Sequence, residues 1–343
     1  MNFASFKLSA AHKIIGAFLI ILIIVGHFIG LHPLTSVLDV LTRVGMNGIL
    51  VLAMVPMVQS GCGLNFGLPV GLIGGMLGAV ISIQFHWTGL LGILGALVLG
   101  LIFGAIFGYL YGQLLNRVKG DEMVIATYVG YSFVAFMNVM WVVLPFNNPN
   151  LVQGYKGEGL RPTINAGEYW GKAISNVLAI EVKDGQIFPT GMFLILILAC
   201  FLVWLFFKTK TGTAMTAVGS NPDYARAAGI DVDKMRLLSV VMSSAIAGFG
   251  MIIYEQSFGF VQMFNAPLFF AFPSVAAVLL GGASVKKASI ANVIIGTILF
   301  QGLLTLTPSV INTLIQVDIS DVIRIIVSNG MIIYALTRKG EKA

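Results

Sequence analysis

From Val44 to Asn116 the chain reads VGMNGILVLAMVPMVQSGCGLNFGLPVGLIGGMLGAVISIQFHWTGLLGILGALVLGLIFGAIFGYLYGQLLN, 73 residues without an Asp, Glu, Lys or Arg. A buried helix in a soluble domain needs no such run. Several membrane helices of roughly 20 residues each, joined by short turns, do. The rest of the chain agrees. Of its 343 residues 57% are apolar and 10% charged, where a soluble domain carries about a quarter charged. The mean hydropathy is +0.94. These values exclude a water-soluble enzyme, a secreted disulfide scaffold and a disordered chain. The reading is an all-α, polytopic membrane protein, with residues 1–343 forming a single membrane domain.

Charge-free apolar stretches predict about ten transmembrane helices, near 14–31, 40–59, 67–85, 89–115, 123–145, 189–207, 237–256, 268–283, 289–307 and 321–337. The apolar run up to Leu31, flanked by Lys7 and Lys13, lacks a small-residue cleavage site and reads as an uncleaved first helix. Of the 20 basic residues, 14 fall on one side: Lys7 and Lys13, Arg117 and Lys119, Lys208 to Arg236, Lys286 and Lys287, and Arg338 to Lys342. Only Lys156, Arg161, Lys172 and Lys183 fall opposite, while Arg43 and Arg324 lie within or beside spans. The positive-inside rule makes the richer side, with both termini, cytoplasmic. The net charge of +6 belongs to these loops. No basic cluster interleaved with aromatics points to nucleic acid, so the bilayer is the expected surrounding.

Two loops exceed what a turn needs. The extracytoplasmic one, 146–188, contains EYWGKAISNVLAI; it reads either as an interfacial segment anchored by Tyr169 and Trp170 or as a docking surface for an external partner. The cytoplasmic one, 208–236, contains GSNPDYARAAGI. Ser220 or Asn221 can cap a helix N-terminus, Pro222 suits its first position, and Asp223 complements its dipole. Tyr224, Ala225, Ala227 and Ala228 continue it, and Gly229 supplies a left-handed stop. A helix of two turns is marginal alone and calls for a partner surface.

Glycines recur every fourth residue at Gly63, Gly67, Gly71 and Gly75, and again at Gly100, Gly104, Gly108 and Gly112, a spacing that lets helix backbones approach closely in lipid. GCGLNFGLPVG (61–71) adds Pro69 and the polar Asn65, which predicts a broken helix, tolerated at membrane depth only where protein or a wet cavity shields it. LLGGASVKKAS (279–289) is a second interruption, and the pair hints at a duplicated architecture around a central pathway. Cys62 and Cys200 sit in apolar surroundings and read as packing residues. His12, His27, His32 and His86 are scattered, so no metal site, nucleophile set or catalytic residue is expected.

GSNPDYARAAGI, followed by a hydrophobic span and then VAAVLLGGASVKKASIANVIIG, resembles the permease subunits of bacterial ABC importers, in particular the simple-sugar and nucleoside branch typified by the ribose permease. The resemblance covers about Met46 to Leu336. Its cytoplasmic pattern is carried by Gly219, Asn221, Ala225, Gly229 and Ile230, and it implies that this segment, with Pro222, Asp223, Arg226 and Ala228, couples the permease to an ATP-binding subunit. It further implies a second permease chain and an external solute-binding lipoprotein or periplasmic protein. The setting is then the bacterial cytoplasmic (inner) membrane. Where ribose-type permeases have an acidic residue in a Gly-rich stretch, this chain has Asn65 within Gly61–Gly67. That departure leans toward a related but different partner chain.

The chain has no GxxxxGK[ST] phosphate loop, so ATP belongs to partner subunits and no cofactor is expected on this one. The translocation pathway is expected at Gln59, Asn65 and Phe66, with a hydrogen bond between helices as the alternative setting for Asn65. The competing reading is an ion- or proton-coupled secondary transporter, whose ionisable candidates would be Asp39, Arg43, Glu255, Asp321 and Arg324.

Overall fold

The structure is a computed structural model, and it describes residues 10–153, 159–182 and 185–337. Lys7, Lys156, Lys183, Arg338, Lys339 and Lys342, used above for orientation, lie outside the described residues. The first half contains α1 (Ala10–Phe28), α2 (Pro33–Leu52), α3 (Met54–Gln59), α4 (Leu68–Gln84), α5 (Gly89–Arg117) and α6 (Glu122–Val143). Three short strands follow, β1 (Thr163–Asn165), β2 (Ile180–Glu181) and β3 (Ile187–Phe188). Then come α7 (Thr190–Lys208), α8 (Lys210–Ser220), α9 (Pro222–Ala227), α10 (Val232–Phe258) and β4 (Phe260–Gln262). The chain continues with α11 (Leu268–Leu280), α12 (Ile290–Ile315) and α13 (Ser320–Thr337).

Helices stand at all ten places where apolar stretches predicted them. Six are long and apolar enough to cross a membrane: Pro33–Gln59, α5, α6, α7, α10 and α12. The apolar helices His12–Phe28, Leu68–Gln84 and Leu268–Leu280 are shorter. The chain was not expected to be helical over α8; Thr209 caps it by accepting from the Gly212 amide.

The centre of the fold is the close association of α4, α5 and α10. A Cβ at Gly71 would stand 2.8 Å from Ser244 Cα, and one at Gly104 would stand 2.6 Å from Ser244 O. Gly74 faces the backbone of Gly104, and Gly75 faces that of Gly248. Three backbones thus meet where side chains would hold them apart, which is how small residues stabilise helix association in lipid. The Gly100 to Gly112 ridge lies on α10 as expected. The earlier ridge is corrected: only Gly71 and Gly75 belong to it, because Gly63 lies outside any helix with φ +79° and Gly67 caps α4 against the Tyr111 ring.

Among its described residues the 146–188 loop contains no amphipathic helix. Residues 167–178 form successive turns. Tyr169, Trp170 and Ile174 point inward and are buried, so they anchor the loop to the protein rather than to a membrane interface. Tyr169 Oη accepts from Asn148 Nδ2 at 3.0 Å. Lys172 N–H donates to Gln256 O at 2.7 Å, and β1 pairs antiparallel with β4, which ties the loop to the end of α10.

Candidate coupling site and the broken helix behind it

Helix α9 is closed at both ends by local chemistry. The Asn221 side-chain oxygen accepts from the amides of Asp223 (3.1 Å) and Tyr224 (3.0 Å), so Asn221 is the cap. Ser220 instead donates to Thr216 O within α8. Pro222 occupies the first turn, and Asp223 lies at the positive end of the dipole, 3.2 Å from Arg226. At the other end Gly229 has φ +79°, and the Ile230 amide reaches back to Ala225 O at 2.9 Å. This closure satisfies a carbonyl the helix would otherwise leave open.

The two faces of α9 differ. Ala225 is fully buried with Val218 and Val232, flanked by Ile230 and Met235. It therefore seats the helix on its own chain, where it was expected at the partner's surface. Pro222, Asp223, Tyr224, Arg226, Ala228 and Gly229 are exposed, and Ile230 is half-buried. Tyr224, with 70% of its surface exposed, is the most prominent group on this face. It was not among the expected site residues, although its place inside the capped segment was the available signal.

Behind α9, the end of α8 presses on the membrane break. A Cβ at Gly219 would stand 2.9 Å from both Gln59 C and Gly61 N, and closer still to Gln59 O. Gly61 in turn has φ +79°, and a Cβ there would stand 3.1 Å from Gly219 Cα. Only glycines allow this contact, which joins the coupling segment to residues 59–61 backbone to backbone.

The helix leading into the break already steps once, between α2 and α3. Pro56 has no N–H to give Leu52, and the helix steps at Ala53, whose carbonyl accepts from Ser243 Oγ at 2.6 Å. Gln59 then donates from its amide to Ala288 O, so the two Gly-rich interruptions predicted in the two halves meet. Phe66 is half-buried, its ring 5.3 Å from that of Phe272. Asn65 makes bonds between helices, the alternative setting expected for it. It is fully buried and donates to Ser243 Oγ at 2.8 Å, while Tyr111 Oη donates to its oxygen at 3.2 Å. In this conformation Asn65 is a link between helices and faces no open pathway, because a buried amide is held by the partners that satisfy it.

Polar groups that sequence reasoning missed lie on α6. Tyr128, Tyr131 and Ser132 are exposed on a span that carries no charge after Glu122. Asn138 Nδ2 stands 2.9 Å from Asn265 Oδ1 beyond them. The first turn of α10 is pinned to the α5–α6 turn by the buried Arg236–Glu122 pair and by Lys119–Asp233 at 2.7 Å. Of the candidates for ion coupling, Asp39 and Asp321 are exposed, Arg43 and Arg324 are partly buried, and Arg324 lies 3.8 Å from Asp321. Glu255 is fully buried, and neither carboxylate oxygen has a hydrogen-bond partner among the described residues.

Comparison with known proteins follows the same lines. Over 146 residues the chain is 32% identical to the nucleoside ABC transporter permease protein NupB of Lactococcus lactis subsp. cremoris (strain MG1363), covering 42% of this chain and 38% of the relative. Over 118 residues it is 30% identical to the autoinducer 2 import system permease protein LsrC of Escherichia coli (strain K12 / DH10B), covering 34% of each. The chain thus spans well under half the length of these curated relatives in the matched segments. Residues 36–336 match a family described as the permease component of the branched-chain amino acid transport system, and the chain belongs to that family.

Proposed function

We propose that the chain is the membrane-spanning subunit of an ATP-driven importer and forms the pathway for a small, uncharged, polar solute such as a simple sugar or a nucleoside. The observation that carries this is α9: a helix capped at both ends, exposed on one face and following directly on α8, whose Gly219 packs against the backbone of the break at Gln59–Gly61. A partner that grips Tyr224, Asp223, Arg226 and Ala228 can push on the membrane break without touching lipid. The partner is an ATP-binding subunit, and one α9 per chain calls for two permease chains, the second either identical or, as Asn65 favours, a related paralogue. An external solute-binding protein delivers cargo to the 146–188 side. Ten crossings then put both termini in the cytoplasm, with the chain in the bacterial inner membrane.

The pathway runs along the hydroxyl-bearing face of α6, with Gln59 and Phe66 at its inner end. Asn65 holds the break from behind. The solute class rests on the scarcity of charge in the spans; relatives named for nucleosides and for autoinducer 2, in a family named for amino acids, do not narrow it further.

Glu255 supports a second reading, a proton-coupled transporter, because an unpartnered buried carboxyl in a span is the usual relay. Proteoliposomes made with the co-expressed subunits separate the two. ATP-dependent uptake that survives collapse of the proton gradient supports the importer; uptake that follows the gradient without ATP refutes it. Native mass spectrometry of the same complex reads the number and identity of permease chains.

A further inference from the structure

A groove of about 460 Å³ lies between α2, α7 and α12, and neither α9 nor α6 contributes to its lining. Its walls include Val44, Leu196, Cys200 and Trp204 on one side and Ile290 and Thr297 on the other. Thr297 offers no free donor, since its hydroxyl already donates to Val293 O at 2.7 Å. A polar solute would find nothing to bond there. On α12 the lining runs from Ile290 to Ile298, about 12 Å of helix and most of the depth of one leaflet.

The mouth of the groove is basic. Trp204 lines the end nearest the close of α7, and Lys208 holds its ammonium 5.6 Å from the centre of that ring. Lys210 follows, and Lys286 and Lys287 stand within one turn of Ile290, at the same end of α12. None of these lysines forms an ion pair among the described residues. The sequence has no Asp or Glu from Thr190 to Pro222 or from Gln256 to Val317. An apolar cleft nearly one leaflet deep, with Lys208 beside the Trp204 end and further lysines close in sequence to its lining, matches a lipid tail below and an anionic headgroup above.

We propose that this groove binds an anionic phospholipid, one acyl chain lying along α7 and α12 and its phosphate at Lys208. A second copy of the chain fits less well. A two-fold contact would set these unpaired lysines against one another, and like charges repel. The exposed face of α7 flanking the groove (Leu194, Leu198, Leu202, Leu205) is apolar, as a lipid-facing surface requires.

The test reads lipid, with neither solute nor ATP, so its outcome stands apart from that of the transport assay. The full chain, in membranes containing phosphatidylglycerol and phosphatidylcholine with identical tails, is solubilised and examined by native mass spectrometry. Wild type should retain phosphatidylglycerol over phosphatidylcholine. Lys208→Gln should lower that retention about fivefold, the worth of one lysine near a lipid surface, and Lys208→Arg should preserve it. Ile294→Trp and Ile298→Trp, which project from the rim and can close the cleft, should each abolish it. Leu202→Trp, on the lipid face outside the cleft, should leave it unchanged. Equal retention of the two lipids by wild type, or undiminished phosphatidylglycerol in both rim variants, overturns the proposal. So does efficient disulfide crosslinking between copies carrying Ile197→Cys, which would place a second chain over the groove.

Discussion

Gly219→Ala tests the link between the coupling helix and the membrane break, and two arguments give it opposite signs. Intrinsic helix propensity favours alanine over glycine in α8 by about 1 kcal/mol. The close approach opposes it, because the new methyl would stand 2.9 Å from two backbone atoms of the break and nearer still to Gln59 O. Backbone cannot swing aside as a flexible side chain does, so α8 must retreat by roughly 1 Å, at an overpacking cost of about 1–3 kcal/mol. A coupling free energy of that size corresponds to about 5- to 150-fold between two sites. In proteoliposomes carrying the whole complex, solute moved per ATP should fall about tenfold while basal ATPase stays within about twofold. The thermal midpoint should drop by a few degrees instead of rising. Gly259→Asn, at the far end of α10, is the control: its left-handed φ of +87° is open to asparagine, and nothing lies within 4 Å of the added carbon. If Gly219→Ala carries solute with wild-type stoichiometry, motion does not pass through this contact and the coupling argument fails.

Ala225→Glu should sharply reduce the amount of folded permease in size-exclusion profiles, since a buried unpaired charge costs several kcal/mol, whereas Ala228→Glu should express normally and lose ATP-driven uptake. Asn65→Ala should destabilise by about 1–3 kcal/mol, because it strips Tyr111 Oη of its acceptor and Ser243 Oγ of a donor. Asn65→Cys in a Cys62→Ala background should resist a water-soluble maleimide in this conformation; rapid labelling without ATP would show that position 65 reaches water at rest. Glu122→Ala should cost about 3–5 kcal/mol by stranding Arg236, and adding Arg236→Ala should recover part of it, as the two melting curves would show.

Solvent preference is a property of each stretch taken alone, and for that reason the ten helical segments were legible along the sequence. The ends of α9 were legible too, because Asn221 reaches amides two and three residues on and Ile230 reaches back five. Its faces were not. Burial of Ala225 depends on Val218 and Val232 folding over it from two other helices, and an alanine reads alike on either side. Asn65 shows the same limit at longer range. Its break was visible in the neighbouring glycines and Pro69, but the hydroxyl it donates to lies 178 residues away. Only the packing of α10 against the break decides whether that amide meets water or Ser243. The contact of Gly219 with Gln59 and Gly61 is likewise invisible locally, since glycine marks a close approach without naming what approaches. The sequence by itself determined which segments leave water and where short-range bonds end a helix. The tertiary structure alone decided which polar groups satisfy one another across the bundle, because that choice depends on the positions of partners far along the chain.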